Sequence, residues 1–146
     1  MSAGTGVFHS EQNPDRKNAV SLLQTWIFPN KRSVKPRYDQ THFDPEARVN
    51  KLQMLVSPIE GNDEGLKIHQ DAWIYRTTLQ AGHSLTHQLH SAGHGAYVFV
   101  IDGNLSTEGH QLTKRDAVGI SDTESFSLSA TADSDVLIFE VPLYLP

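Results

Sequence analysis

Ala96-Tyr97-Val98-Phe99-Val100-Ile101, followed at once by Asp102-Gly103-Asn104, sets the reading of the whole chain. Six apolar residues in a row, five of them branched or aromatic, are too few for a helix that packs in a core and suit a buried strand. The Asp-Gly-Asn that ends the run tolerates positive φ and marks a turn. Working outward, the same pattern recurs at Leu52–Val56, Ala72–Leu79, Asp116–Ile120, Ser125–Leu128 and Asp135–Val141, with Glu108-Gly109 placed to close a hairpin. Val20–Phe28 (V-S-L-L-Q-T-W-I-F) carries the same apolar signature and is also read as a strand. Short strands separated by turn residues, with no helical periodicity, predict an all-β sandwich or barrel.

Composition agrees with one soluble domain or slightly more. The chain has 146 residues, 38% of them hydrophobic, and no cysteine, which removes disulfides, thiolate metal sites and thiol nucleophiles. The net charge is -5. Nine basic residues balance nine acidic ones up to Trp73, and three face eight beyond it, so the acidic excess lies in the second half. Such a balance argues against a nucleic-acid surface. The first residues have neither a basic nor an apolar targeting region, and no apolar run has the length of a span, so the expected location is cytoplasmic and off the membrane. Pro29–Pro45, with three prolines and the basic residues Lys31, Arg32, Lys35 and Arg37, reads as a boundary between substructures. Its charges, with Arg16 and Lys17, read as a solvated loop in preference to an anion site.

Histidine is the unusual residue. Four of the eight, His83, His87, His90 and His94, follow one another at spacings of four, three and four. On a helix they would form a metal-binding stripe, but the glycines, serines and threonines among them disfavour a helix. As a strand, His83 and His87 share a face while His90 points the other way. No Asp or Glu occurs from Ala72 to Ile101, so only a residue distant in sequence could add a carboxylate. These histidines are therefore read as solvent-facing or hydrogen-bonded groups. His9 and Glu11, two residues apart, would project to one side of a strand and could supply two donors of a histidine–carboxylate site.

Those N-terminal residues also carry a resemblance. Met1-Ser2-Ala3-Gly4-Thr5-Gly6-Val7-Phe8-His9-Ser10-Glu11, then Leu23-Gln24-Thr25-Trp26-Ile27-Phe28-Pro29, Lys35-Pro36-Arg37-Tyr38, Leu66–Asp71 and Ser134–Pro142 resemble the pirin family of bicupins along essentially the whole chain. The nearest likeness is to bacterial pirin-like proteins that act as quercetin 2,3-dioxygenases. The resemblance implies two cupin barrels in tandem, with a metal in the N-terminal barrel held by an H-x-H pair and by a later His and Glu. His9 and Glu11 match that later pair, with Glu11 also implied as the base that takes the substrate hydroxyl proton.

The H-x-H pair is missing from this sequence. In the second barrel, His87 falls near the first histidine of the general cupin motif, Leu89 occupies the second, and Ala96 stands where a glutamate belongs. The chain thus resembles the later part of a pirin: residues 1–40 as a remnant of the N-terminal cupin with its linker, and 41–146 as a complete C-terminal cupin. His69, His83, His87, His90 and His94 are then structural or surface residues. The implied cofactor is a divalent metal, iron first, with Zn, Ni, Mn or Cu as alternatives, and the implied substrate is a flavonol. With two ligands in place of four, the chain alone is expected to be a poor dioxygenase. The alternative is a non-catalytic binding or regulatory module, since family members also act as transcriptional coregulators and as partners of metabolic enzymes. Leu22, Trp26 and Phe28 on a strand without an in-chain partner favour a homodimer, or association with a missing N-terminal half.

Overall fold

Val136, Ile138 and Glu140 lie in phase on one face of the last strand, and all three are fully buried. That strand organises the fold. In the computed structural model, which describes residues 1–144, a single turn of 3-10 helix (Pro45–Arg48) precedes ten strands. They are β1 (Gln53–Pro58), β2 (Leu66–Ile68), β3 (Trp73–Leu79), β4 (Ser84–Gln88), β5 (His94–Asp102), β6 (Asn104–Thr107), β7 (His110–Thr113), β8 (Ala117–Ile120), β9 (Ser125–Ala130) and β10 (Ser134–Pro142). One sheet has the order β2-β1-β3-β10-β5-β8 and the other the order β4-β9-β6-β7. β10 is central in the larger sheet, antiparallel to both β3 and β5, with Glu140 opposite Trp73 on one side and Ala96 on the other. This is the all-β, two-sheet architecture expected from the strand spacing.

The core lies between the sheets. β3 alternates strictly, with Trp73, Tyr75, Thr77 and Leu79 turned inward, and they meet Val98, Val100, Leu105, Phe126, Leu128, Val136 and Ile138. Each such aliphatic side chain, once fully buried, contributes about 2 kcal/mol. Among the described residues no helix is long and apolar enough to cross a membrane.

The turns differ in part from expectation. Glu108 and Gly109 both have positive φ and join β6 to β7 as a two-residue hairpin. Asp102-Gly103-Asn104 does not close a hairpin: β5 pairs with β10 and β8, whereas β6 pairs with β7 and β9, so this turn carries the chain from one sheet to the other. Gly103 has φ 95 there, and a Cβ would come 2.3 Å from the Asp133 carbonyl oxygen, so only glycine fits.

Val20–Phe28 is not a strand. A strand is held by backbone pairing, and this stretch finds no ladder partner among the described residues. Its apolar side chains stay outside, with Trp26 at 83% and Phe28 at 81% exposure. Nor are His9 and Glu11 on a strand. The N-terminal segment is tied to the cupin at a few points: the Lys67 carbonyl accepts from the Arg37 guanidinium at 2.7 Å, the His69 carbonyl accepts the Asn30 N–H at 2.7 Å, and the Gln70 amide donates to the Phe28 carbonyl at 2.8 Å. Ser2 and Arg37 also form an isolated antiparallel bridge. Lys31 pairs with Glu60, and Arg37 lies 3.6 Å from Asp39, consistent with a solvated basic loop.

Candidate functional site

Glu140 stands at the end of the inward face of β10, and three histidines close on it. Its Oε2 accepts from His87 Nε2 at 2.8 Å and from His90 Nδ1 at 2.9 Å. Its Oε1 accepts the His90 backbone N–H at 2.7 Å and His94 Nδ1 at 3.0 Å. A carboxylate only accepts, so each ring nitrogen facing it carries the proton in this arrangement. The far side of His94 is 3.4 Å from Asp71 Oδ2. His87 comes from β4, Glu140 from β10, His94 from the start of β5, and His90 from the connection between β4 and β5.

The break at Leu89 produces this convergence. β4 ends at Gln88, Leu89 turns into the core, and the Ser91–Gly93 turn returns the chain into β5. Strand parity therefore stops applying before His90, and both His90 and His94 come round to the carboxylate that His87 faces.

Aromatic rings hold the imidazoles in place. Trp73 stacks on His90 with centroids 3.8 Å apart and planes 3° from parallel. Tyr75 and Phe126 flank His87 at 5.0 and 5.5 Å. The Tyr75 hydroxyl reaches His90 Nε2 at 3.3 Å, and the Trp73 indole donates to Asp63 at 3.0 Å. Burial alone would push the Glu140 carboxyl up, but the bonds from His87, His90 and His94 outweigh it and hold it down to about 2 against an ordinary 4.5. Burial first, then the charges of Glu140 and Asp63, push the Tyr75 phenol up, so it stays a neutral hydroxyl.

His9 and Glu11 lie elsewhere, on the exposed N-terminal segment. His9 Nε2 is 3.7 Å from Glu11 Oε1, with both side chains nearly half exposed, and the same oxygen accepts the Gln24 amide at 2.5 Å. His83 is exposed and takes no part in the cluster, while His69 lines a cleft of about 410 Å³ with Asp63, Asp71 and Trp73. Of the two states the sequence left open for these histidines, solvent-facing or hydrogen-bonded, His87, His90 and His94 adopt the second, and the carboxylate that only a distant residue could supply is Glu140. That residue was missed in the sequence. Its signal was its parity: a carboxylate in step with Val136 and Ile138 faces the core and needs partners there.

Comparison with known proteins places this geometry among relatives. A model of the quercetinase C-terminal cupin domain matches residues 54–141, a range that holds Glu140 and the three histidines. The quercetin 2,3-dioxygenase of Escherichia coli K12 is 37% identical over 142 residues, covering 97% of this chain and 59% of that protein. A putative quercetin 2,3-dioxygenase of Pseudomonas aeruginosa is 34% identical, covering 97% of this chain and 60% of its own length. Among solved structures, YhhW from Escherichia coli superposes with a TM-score of 0.74 at 33% identity, over 83% of this chain and 50% of that one. A nickel(II) complex of the bacterial pirin YhhW gives 0.73 over 82% of this chain and 49% of that one. The chain therefore spans about three fifths of the length of the curated relatives it matches.

Proposed function

This chain belongs to the pirin family of cupin proteins, in its quercetinase form, and on that premise we propose that it takes part in the metal-dependent dioxygenation of flavonols such as quercetin, as one portion of a larger site. The observation that supports this reading is the His9–Glu11 pair, an imidazole and a carboxylate 3.7 Å apart on an open face. Their chemistry suits a divalent metal, iron first, and a metal bound there would supply the positive charge that holds flavonol oxygens and dioxygen. Two half-exposed donors are half of a four-donor set, so the pair does not close a metal site by itself. In this reading the remaining donors come from outside the pair, from other protein or from a second copy of the chain. Glu11 is the base in this reading, and the Gln24 amide bonded to it holds the carboxylate in place.

The expected result is quercetin-dependent oxygen uptake by the chain alone at least about 100-fold below that of the full-length Escherichia coli relative measured beside it. His9→Ala/Glu11→Ala removes what remains. Uptake at the relative's rate would show that no outside donors are needed, and unchanged residual uptake in the double variant would sink the assigned roles.

A second reading, a non-catalytic module that binds other proteins, is favoured by the exposed Phe8, Trp26 and Phe28. The occupant we favour is a second copy of the chain. Sedimentation should then show association that depends on concentration, and Trp26→Ser/Phe28→Ser should shift it to monomer. A monomer at every concentration rules the dimer out.

A further inference from the structure

We propose that His87, His90 and Glu140 form a binding site for a first-row divalent metal ion within the C-terminal cupin itself, separate from the His9–Glu11 pair. One ligand atom from each of the three lies within 4.8 Å of the others. Two imidazoles and one carboxylate are a donor set that iron, nickel and zinc share. Glu140 divides its oxygens between two tasks. Oε1 is tied by the His90 N–H and His94 Nδ1, with Asp71 behind His94, which is how a metal-binding carboxylate is fixed from outside the ligand shell. Among the described residues Oε2 is bonded by two imidazole nitrogens alone.

Those nitrogens can change role without any proton leaving the protein. A neutral imidazole carries one N–H, and moving it to the other ring nitrogen turns the facing nitrogen from a donor into a lone pair. For His90 the other nitrogen already has a partner, the Tyr75 hydroxyl oxygen at 3.3 Å. The stacking of His90 on Trp73 and the packing of His87 between Tyr75 and Phe126 hold both rings in position whichever nitrogen carries the proton. Among the described residues no lysine or arginine pairs with Glu140; the side chains bonded to it are histidines. A dication would balance a fully buried carboxylate that has no fixed positive charge beside it. The entry side is His90, whose side chain is 31% exposed, whereas His87 is 5% exposed.

The test uses zinc ion alone as the probe, on the chelator-stripped chain, with binding followed by titration calorimetry, zinc counted per chain after gel filtration, and the bound ion examined by X-ray absorption. His90→Phe keeps a flat ring for Trp73 to stack on but removes both nitrogens at a partly exposed position, so it is the variant that should fold. The expected results are one zinc per chain, imidazole nitrogens in its first shell, retention in His9→Ala/Glu11→Ala, and binding at least tenfold weaker in His90→Phe. No zinc on the folded chain, equal affinity in His90→Phe, or a first shell without imidazole would overturn the site. Loss of zinc in His9→Ala/Glu11→Ala alone would also overturn it, by placing the ion on the N-terminal pair.

Discussion

Glu140→Leu is expected to cost about 2 to 5 kcal/mol of folding stability, lowering Tm by roughly 5 to 15 °C, because it removes the shared acceptor of a buried hydrogen-bonded cluster and leaves the imidazole donors in place. The carboxylate has no exposed surface and accepts four bonds. His90 sits at the rim and recovers water, but His87 and His94 are each only 5% exposed and the ring nitrogens that face Glu140 lose their acceptor. Leucine fills most of the volume, so the loss measures the orphaned donors more than a cavity. Glu140→Gln keeps one acceptor oxygen and should fall between wild type and leucine. Urea unfolding of the three proteins provides the check, and a midpoint for Glu140→Leu within error of wild type would mean that the histidines do not depend on this acid.

Acid should unfold the protein through the same group. The folded-state value for Glu140 is about 2, below its ordinary 4.5, so the folded state binds this proton more weakly than the unfolded one. The contribution is complete above pH 4.5 and disappears as pH falls toward 2, a loss of about 3 kcal/mol. The groups facing Glu140 are His87 on β4, His90 and His94 from the following connection and β5, and beyond them Asp71 and Tyr75. Chemical denaturation at a series of pH values should show stability falling below pH 4.5 in wild type and a shallower fall in Glu140→Gln. Parallel curves would assign the acid sensitivity to other carboxylates.

The strands of the cupin were legible because their side chains alternate and their turns carry glycine: β3, β5 and β10 fall within two residues of where the pattern puts them. Val20–Phe28 misled for a physical reason. Apolar content says that a segment needs cover, but a strand also needs a neighbouring backbone, and sequence does not show whether one is present. The site was half legible. The histidine spacing is plain in one short stretch, yet its meaning depends on an acid 50 residues from His90. Leu89 then ends β4 one residue before His90, so the face rule that set His90 against His87 no longer holds.

Two contacts from the N-terminal segment, to Lys67 on β2 and to His69 just after it, bear on solubility. β2 pairs with β1 on one side only, which leaves it as the outer edge of the six-stranded sheet. The Lys67 and His69 carbonyls on this short strand and the residue after it are the groups that Arg37 and Asn30 occupy. An uncovered edge is a template for intermolecular strand addition. Residues 30–37 thus cover part of that edge like a selvedge, taking two of the outward carbonyls that an added strand would use.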